Sequence, residues 1–285
     1  MIIEGAFLKL PELLLGHSSP RKQYEATLTS HFAMGVLLEL SARNIELPMH
    51  RIHIERPYPD ITESKFPGRA DLYVDLGGVY SKGLWHELYG MKPNNWIEAK
   101  YFGGIGRNIG SQTKTTNAAV IAFDLFRLCL YVQELRSSDR DNGRYLLVVF
   151  NRKPSEYLAL SRQSTDFPKR KWLSNLLNPG EKDIHICIEQ EPSNFKKCFP
   201  TKFSESDPGL NLKLKILTRE FSPIETLNPH LYWGYLVRII DFEISCGTRS
   251  LVYRDASQDF WSEEQRNTQK LLIQEAIDAD TKQLK

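Results

Sequence analysis

Asp71, Glu98 and Lys100 are of the types, and stand at the spacing, from which a metal-assisted reaction could be built. In an extended strand residues i and i+2 share a face, so Glu98 and Lys100 point the same way. Antiparallel pairing of the segments around 71 and 98 brings Asp71 onto that face. Two carboxylates beside one ammonium are costly in a packed sheet, because like charges side by side raise a pKa and each buried charge needs a partner. A divalent cation removes that cost. Mg²⁺ suits the role, since it prefers hard oxygen ligands and commonly takes one or two carboxylates together with waters and substrate phosphate.

The elements that must position these residues can be read from the first half of the chain. Residues 20–44 carry Tyr24, Leu28, Phe32, Val36 or Leu37, and Leu40 at helical spacing between Pro20 and Pro48, which predicts a long amphipathic helix. Residues 50–58 alternate Ile52 and Ile54 with His53 and Glu55, and residues 69–76 alternate Leu72, Val74 and Leu76 with Asp71, Tyr73 and Asp75. Both read as strands. A third strand over 96–102 sets Ile97, Ala99 and Tyr101 on one face and Glu98 and Lys100 on the other. A glycine-rich loop, 103–110, leads into a largely buried apolar helix over 113–135, and an aliphatic strand over 144–150 is fit for a sheet centre. The order predicts an α/β (α+β) fold with a mixed central sheet flanked by helices. The second half is less regular, with a helix over 169–177, strands over 183–188 and 210–218, a long strand or hairpin within 232–253, and a helix from 258 onward.

Composition narrows the function classes. Lys plus Arg number 37 against 35 Asp plus Glu, a formal charge of +2, and 41% of residues are hydrophobic. This excludes a disordered chain and a protein whose whole surface coats polyanion, while leaving room for a locally basic groove. Before Lys153 there are 18 basic and 16 acidic residues, and from Lys153 on 19 of each, so neither half is the basic one. Cys129, Cys187, Cys198 and Cys246 form no CxxC pair, which argues against a zinc site or disulfide framework. Glu4, Lys9, Pro11 and Glu12 interrupt the apolar start and spoil both a signal-peptide core and a membrane span. No GxSxG or Cys/His arrangement supports covalent catalysis. A soluble protein of a reducing cell interior is expected.

Gly68-Arg69-Ala70-Asp71 on one strand, Glu98-Ala99-Lys100 on the next, and the helix before and helix and strand after them resemble the PD-(D/E)xK nuclease superfamily. Within it the chain is most similar to type II restriction endonucleases. Ala70 departs from the proline of the namesake pattern at a position that carries no ligand. A long insertion separates Asp71 from Glu98, and its Trp85, His86 and Tyr89 are candidates for DNA contact. The resemblance implies a restriction-endonuclease-like αβββαβ catalytic core over 1–155, with 156–285 as a C-terminal elaboration for DNA recognition and dimerisation. It makes Asp71 and Glu98 Mg²⁺ ligands, joined by the backbone carbonyl of Ala99. Lys100 would orient the attacking water and stabilise its deprotonated form or the developing phosphorane charge, and Glu25 matches the position of a further acid on the first helix. It further implies a cytoplasmic prokaryotic homodimer that cuts double-stranded DNA at specific sequences to leave 5′-phosphate and 3′-hydroxyl ends. A cognate DNA methyltransferase would be its functional counterpart.

Residues beyond the catalytic set suggest where DNA would lie. Between Ala99 and Phe123 there is no acid, while Arg107, Asn108, Ser111, Gln112 and Lys114 gather near a helix start. Amides, hydroxyls and basic groups there form a phosphate-backbone clamp. Lys169, Arg170 and Lys171 form a second basic cluster. Two other readings stay open: a structure-specific repair or recombination nuclease sharing the metal site, and a non-catalytic DNA-binding module on the same fold.

Overall fold

A computed structural model describes residues 2–15, 25–58, 68–79, 91–103, 111–132, 142–158, 170–199, 209–222, 232–246 and 249–253. The expectations for Arg107, Asn108, Lys169, the insertion residues 85–89 and the helix from 258 onward lie outside them.

The apolar patterns resolve into helices α1 (Ile2–Leu15), α2 (Glu25–Ala42) and α3 (Ser111–Leu130) and strands β1 (Ile52–Pro57), β2 (Arg69–Asp75), β3 (Asn94–Phe102) and β4 (Asn142–Phe150). Three short helices follow, α4 (Pro154–Tyr157), α5 (Lys171–Leu176) and α6 (Ser193–Lys196), interleaved with β5 (Gly180–Cys187) and followed by β6 (Asn211–Phe221), β7 (Trp233–Cys246) and β8 (Arg249–Tyr253). The fold is mixed α/β around one open, mostly antiparallel sheet of eight strands. Seven run in the order β1-β2-β3-β4-β7-β6-β5, and β8 pairs with the far end of β7. Among the described strands only β3 and β4 pair in parallel. The strands after residue 156 therefore extend the same sheet that carries β1–β4.

Both faces of the sheet centre are covered, which is why every residue of β4 is buried. On one face α1 and α2 pack Ile3, Phe7, Leu10, Phe32 and Val36 against Leu72, Val74, Ile97, Ala99 and Leu147. On the other, α3 packs Ala118, Ile121, Leu125 and Phe126 against Trp96, Phe102, Leu146 and Phe150. Each fully buried Leu, Val or Phe contributes about 1.5–3 kcal/mol relative to exposure. Helix α1 forms although Pro11 lies inside it and Glu4, Lys9 and Glu12 break its apolar run. Ile2, Ile3, Ala6, Phe7, Leu10 and Leu14 still make one continuous buried stripe. An ideal Cβ on Gly35 of α2 would come within 3.0 Å of the Ala6 carbonyl oxygen, so glycine is what lets α1 and α2 pack this closely.

The sheet is deliberately interrupted beside Asp71. Pairing of β2 with β3 runs from Asp75 opposite Asn94 to Leu72 opposite Ile97 and ends there. On the other side of β2, Ile54 pairs with Leu72 and Arg56 with Ala70, while Glu55, the residue between, turns to φ 52°, a left-handed conformation unusual for a residue with a side chain. Asp71 is thus freed from regular pairing with both neighbouring strands.

Candidate active site

The site grows from that interruption. One step beyond Leu72–Ile97 the register would set Asp71 opposite Glu98, but β2 has separated from β3. The Asp71 carboxylate bridges the gap instead, its Oδ2 accepting the backbone N–H of Ala99 at 2.7 Å. In an extended strand a residue's N–H and C=O point to the same edge, so the Ala99 carbonyl is also directed at this opening.

Glu98 and Lys100 occupy the α3 face of β3, as their alternation requires. Glu98 is completely buried. Its Oε1 accepts a hydrogen bond from the Tyr58 hydroxyl, and Arg127 Nη1 of α3 lies 3.3 Å from the same oxygen. The other oxygen, Oε2, is buried without a hydrogen-bond partner among the described residues. Burial raises the Glu98 pKa well above the usual carboxylate range; Arg127 opposes the rise, and the neighbouring Asp124 and Asp71 charges add to it.

Lys100 joins the two layers. Its Nζ is 2.9 Å from Glu25 Oε1, at the first residue of α2, and 3.4 Å from Asp124 Oδ2, on α3. Burial works against its charge, but Asp124, Glu25 and Asp71 together outweigh that penalty and hold its pKa above the ordinary lysine value. Carrying that charge, Lys100 can orient a water or stabilise negative charge.

Arg127 ties the rim together. Nη1 also lies 3.5 Å from Asp124 Oδ1, and Nη2 donates to the Arg69 carbonyl at 2.6 Å, two residues before Asp71. The guanidinium carbon sits 5.5 Å from the centroid of the Tyr58 ring. One side chain thus anchors β2, β3 and α3 around the opening.

The expected residues Asp71, Glu98, Ala99, Lys100 and Glu25 all meet here. Tyr58, Asp124 and Arg127 also belong to the constellation, and sequence reasoning passed over them. A signal existed: Asp124 and Arg127 are the only charged residues between 118 and 130, three apart on a helix otherwise apolar over that stretch. Such a pair on a buried helix marks a polar cluster within the core. Among the proposed DNA contacts, Ser111 and Gln112 open α3, Lys114 Nζ donates to the Ser155 carbonyl at 3.1 Å, and Lys171 is exposed at the start of α5. Arg170 departs from expectation. It is buried, and its Nε lies 2.7 Å from Glu191 Oε2, a carboxylate that also accepts from Trp172 Nε1 at 3.3 Å. An arginine buried in such a pair is committed to the fold and is not presented to a phosphate backbone.

Among the described residues no three His, Cys, Asp or Glu side chains stand together as a metal-binding group. The opening nevertheless offers hard oxygen donors of the kind Mg²⁺ takes: the carboxylates of Asp71 and Glu98, with the buried Glu98 Oε2 lacking a hydrogen-bond partner among the described residues, and the Ala99 carbonyl. Two carboxylates and a carbonyl, completed by water and substrate phosphate, fit that ion.

Asp124 makes a measurable prediction. Burial, partly offset by Lys100 and Arg127, pushes its pKa from 3.8 up to about 6. The folded protein therefore holds this proton more tightly than the unfolded chain. The resulting stabilisation is complete below about pH 4 and is lost as pH rises through 6. Asp124→Asn should flatten the pH dependence of stability across pH 4–6 by on the order of 3 kcal/mol, measured by urea unfolding at stepped pH. An undiminished slope in the variant would show that Asp124 is not the titrating group.

Among the described residues no helix is long and apolar enough to cross a membrane. Compared with protein-family models, curated proteins and solved structures, the chain finds no match.

Proposed function

We propose that this protein is a Mg²⁺-dependent nuclease of the PD-(D/E)xK type, a sequence-specific double-strand DNA endonuclease resembling type II restriction enzymes. The observation that carries the reading is the convergence of Asp71, Glu98, Lys100 and Glu25 where β2 parts from β3, with one buried oxygen of Glu98 unpartnered among the described residues. A solvated strand face would not require this. Its charges would be exposed and paired across strands, whereas Glu98 is wholly enclosed and Asp71 spans a break in the sheet.

In this reading Asp71, Glu98 and the Ala99 carbonyl hold the ion. When bound, Mg²⁺ supplies a water acidic enough to act as nucleophile near neutral pH and charge stabilisation at the phosphoryl oxygens. Lys100 contributes a fixed positive charge, held in place by Glu25 and Asp124 and available to the attacking water or to the charge that develops on the phosphorus oxygens. Cutting both strands at a two-fold site calls for two such centres, so the reading carries with it a homodimer, a cytoplasmic setting and a DNA methyltransferase that protects the same sequence.

Incubation with plasmid DNA and with a four-way junction, each in Mg²⁺ and in EDTA, is the direct test. Discrete plasmid fragments in Mg²⁺ and none in EDTA are expected. Cleavage confined to the junction would favour a structure-specific nuclease. Intact DNA on both substrates in Mg²⁺ and in Mn²⁺ would overturn the nuclease reading in favour of a binding module.

A further inference from the structure

We infer that Tyr58 is a positioning residue for the cation site, fixing the Glu98 carboxylate by one oxygen so that the other is presented to the ion. The inference rests on the metal-dependent reading above and deepens it.

Tyr58 follows β1 directly, and its side chain is enclosed. Its ring stacks on Trp96 at 5.5 Å between centroids, packs against Tyr131 at 5.9 Å and lies beneath the Arg127 guanidinium. Its backbone N–H donates to the Gly68 carbonyl at 3.0 Å, three residues before Asp71. The hydroxyl is therefore rigidly placed, and its proton goes to Glu98 Oε1. Arg127 approaches that same oxygen.

Among the described residues, two donors on one oxygen and none on the other is an asymmetric arrangement for a buried carboxylate. Ordinary packing would satisfy both oxygens, because a buried acceptor left without a partner costs free energy. Among the described residues nothing satisfies Oε2, and Asp71 and the Ala99 backbone lie beside it across the break between β2 and β3. Partners such as Tyr58, one step removed from a metal, set ligand orientation and basicity, and their loss lowers metal affinity by about 10–100-fold.

Arg127 holds Glu98 as well, but its own positive charge opposes a cation, so its substitution would mix two effects of opposite sign. Tyr58→Phe removes one hydroxyl without altering charge and isolates the positioning effect. The full-length wild type, Tyr58→Phe and the control Phe126→Leu, a packing change on the same face of the sheet, are titrated with Mn²⁺ by the loss of the free-ion electron paramagnetic resonance signal. Thermal melts in EDTA establish that each is folded.

Tyr58→Phe is expected to bind Mn²⁺ about tenfold more weakly or worse, with Phe126→Leu within twofold of wild type. Equal affinity of Tyr58→Phe and wild type would overturn the inference and leave the metal reading standing. A loss in Phe126→Leu as large as in Tyr58→Phe would also overturn it, by tracing the effect to packing. Failure of the wild type to take up Mn²⁺ at millimolar concentration would overturn the metal reading and this inference together.

Discussion

Lys100→Ala is expected to abolish DNA cleavage while DNA binding persists within a few-fold. Lys100 is held between Glu25 at 2.9 Å and Asp124 at 3.4 Å, so its position and its charge are both fixed before any substrate arrives. A pre-placed charge costs no reorganisation when negative charge builds up in the transition state, and removing one such group typically slows the reaction by about 10²–10³-fold. Binding is spread over many phosphate contacts and depends little on one recessed side chain, here only 14% exposed. Cleavage is followed on plasmid in Mg²⁺ and binding by gel shift in Ca²⁺.

The substitution also deprives buried Asp124 of its lysine, which a thermal melt will register. Lys100→Gln, which keeps length and hydrogen-bonding capacity, separates lost charge from lost packing. If a folded Lys100→Ala protein still cuts at the wild-type rate, the assigned role of Lys100 is wrong.

The parts of this architecture fixed by local rules were legible from residues alone. Alternation placed Glu98 and Lys100 on one face of β3 and Ile97, Ala99 and Tyr101 on the other, and the two cores divide them that way. The helix expected over 20–44 spans Glu25–Ala42, and that expected over 113–135 spans Ser111–Leu130. Helix α1 escaped because its charges and Pro11 break the linear apolar run, although its buried positions hold a helical stripe. The long-range joining of β4 to β7 was equally hidden, because strand order across some eighty residues depends on which edge is open and leaves no mark on local periodicity. Sequence reasoning also met the cost of crowding Asp71, Glu98 and Lys100 with a cation alone. Part of that cost is met by the protein's own Arg127, which a reading of α3 as an apolar stripe passes over.

Arg127 therefore carries the largest expected effect on stability. Its guanidinium compensates a carboxylate that is completely buried, contacts Asp124, and donates to the Arg69 carbonyl at the entrance to β2. Arg127→Met keeps much of the side-chain volume but leaves Glu98 without a charged partner, a change that typically costs about 3–5 kcal/mol. The loss should depend on pH in a definite direction. Burial already favours the protonated form of Glu98, and removing Arg127 raises its pKa further. At low pH the group carries its proton in both proteins and the penalty is small; as pH climbs from the wild-type Glu98 pKa towards the variant's higher one the loss grows by about 1.4 kcal/mol per pH unit, and above the variant's pKa it levels off. The variant should accordingly be far closer to wild type at pH 5 than at pH 8 in urea unfolding. Glu98→Gln introduced alongside Arg127→Met removes the stranded charge and should recover most of the loss at pH 8, a coupling that a double-mutant cycle reads directly. Additive losses in that cycle, with no pH dependence, would mean that Arg127 acts through Arg69 and packing and that Glu98 is neutralised by other means.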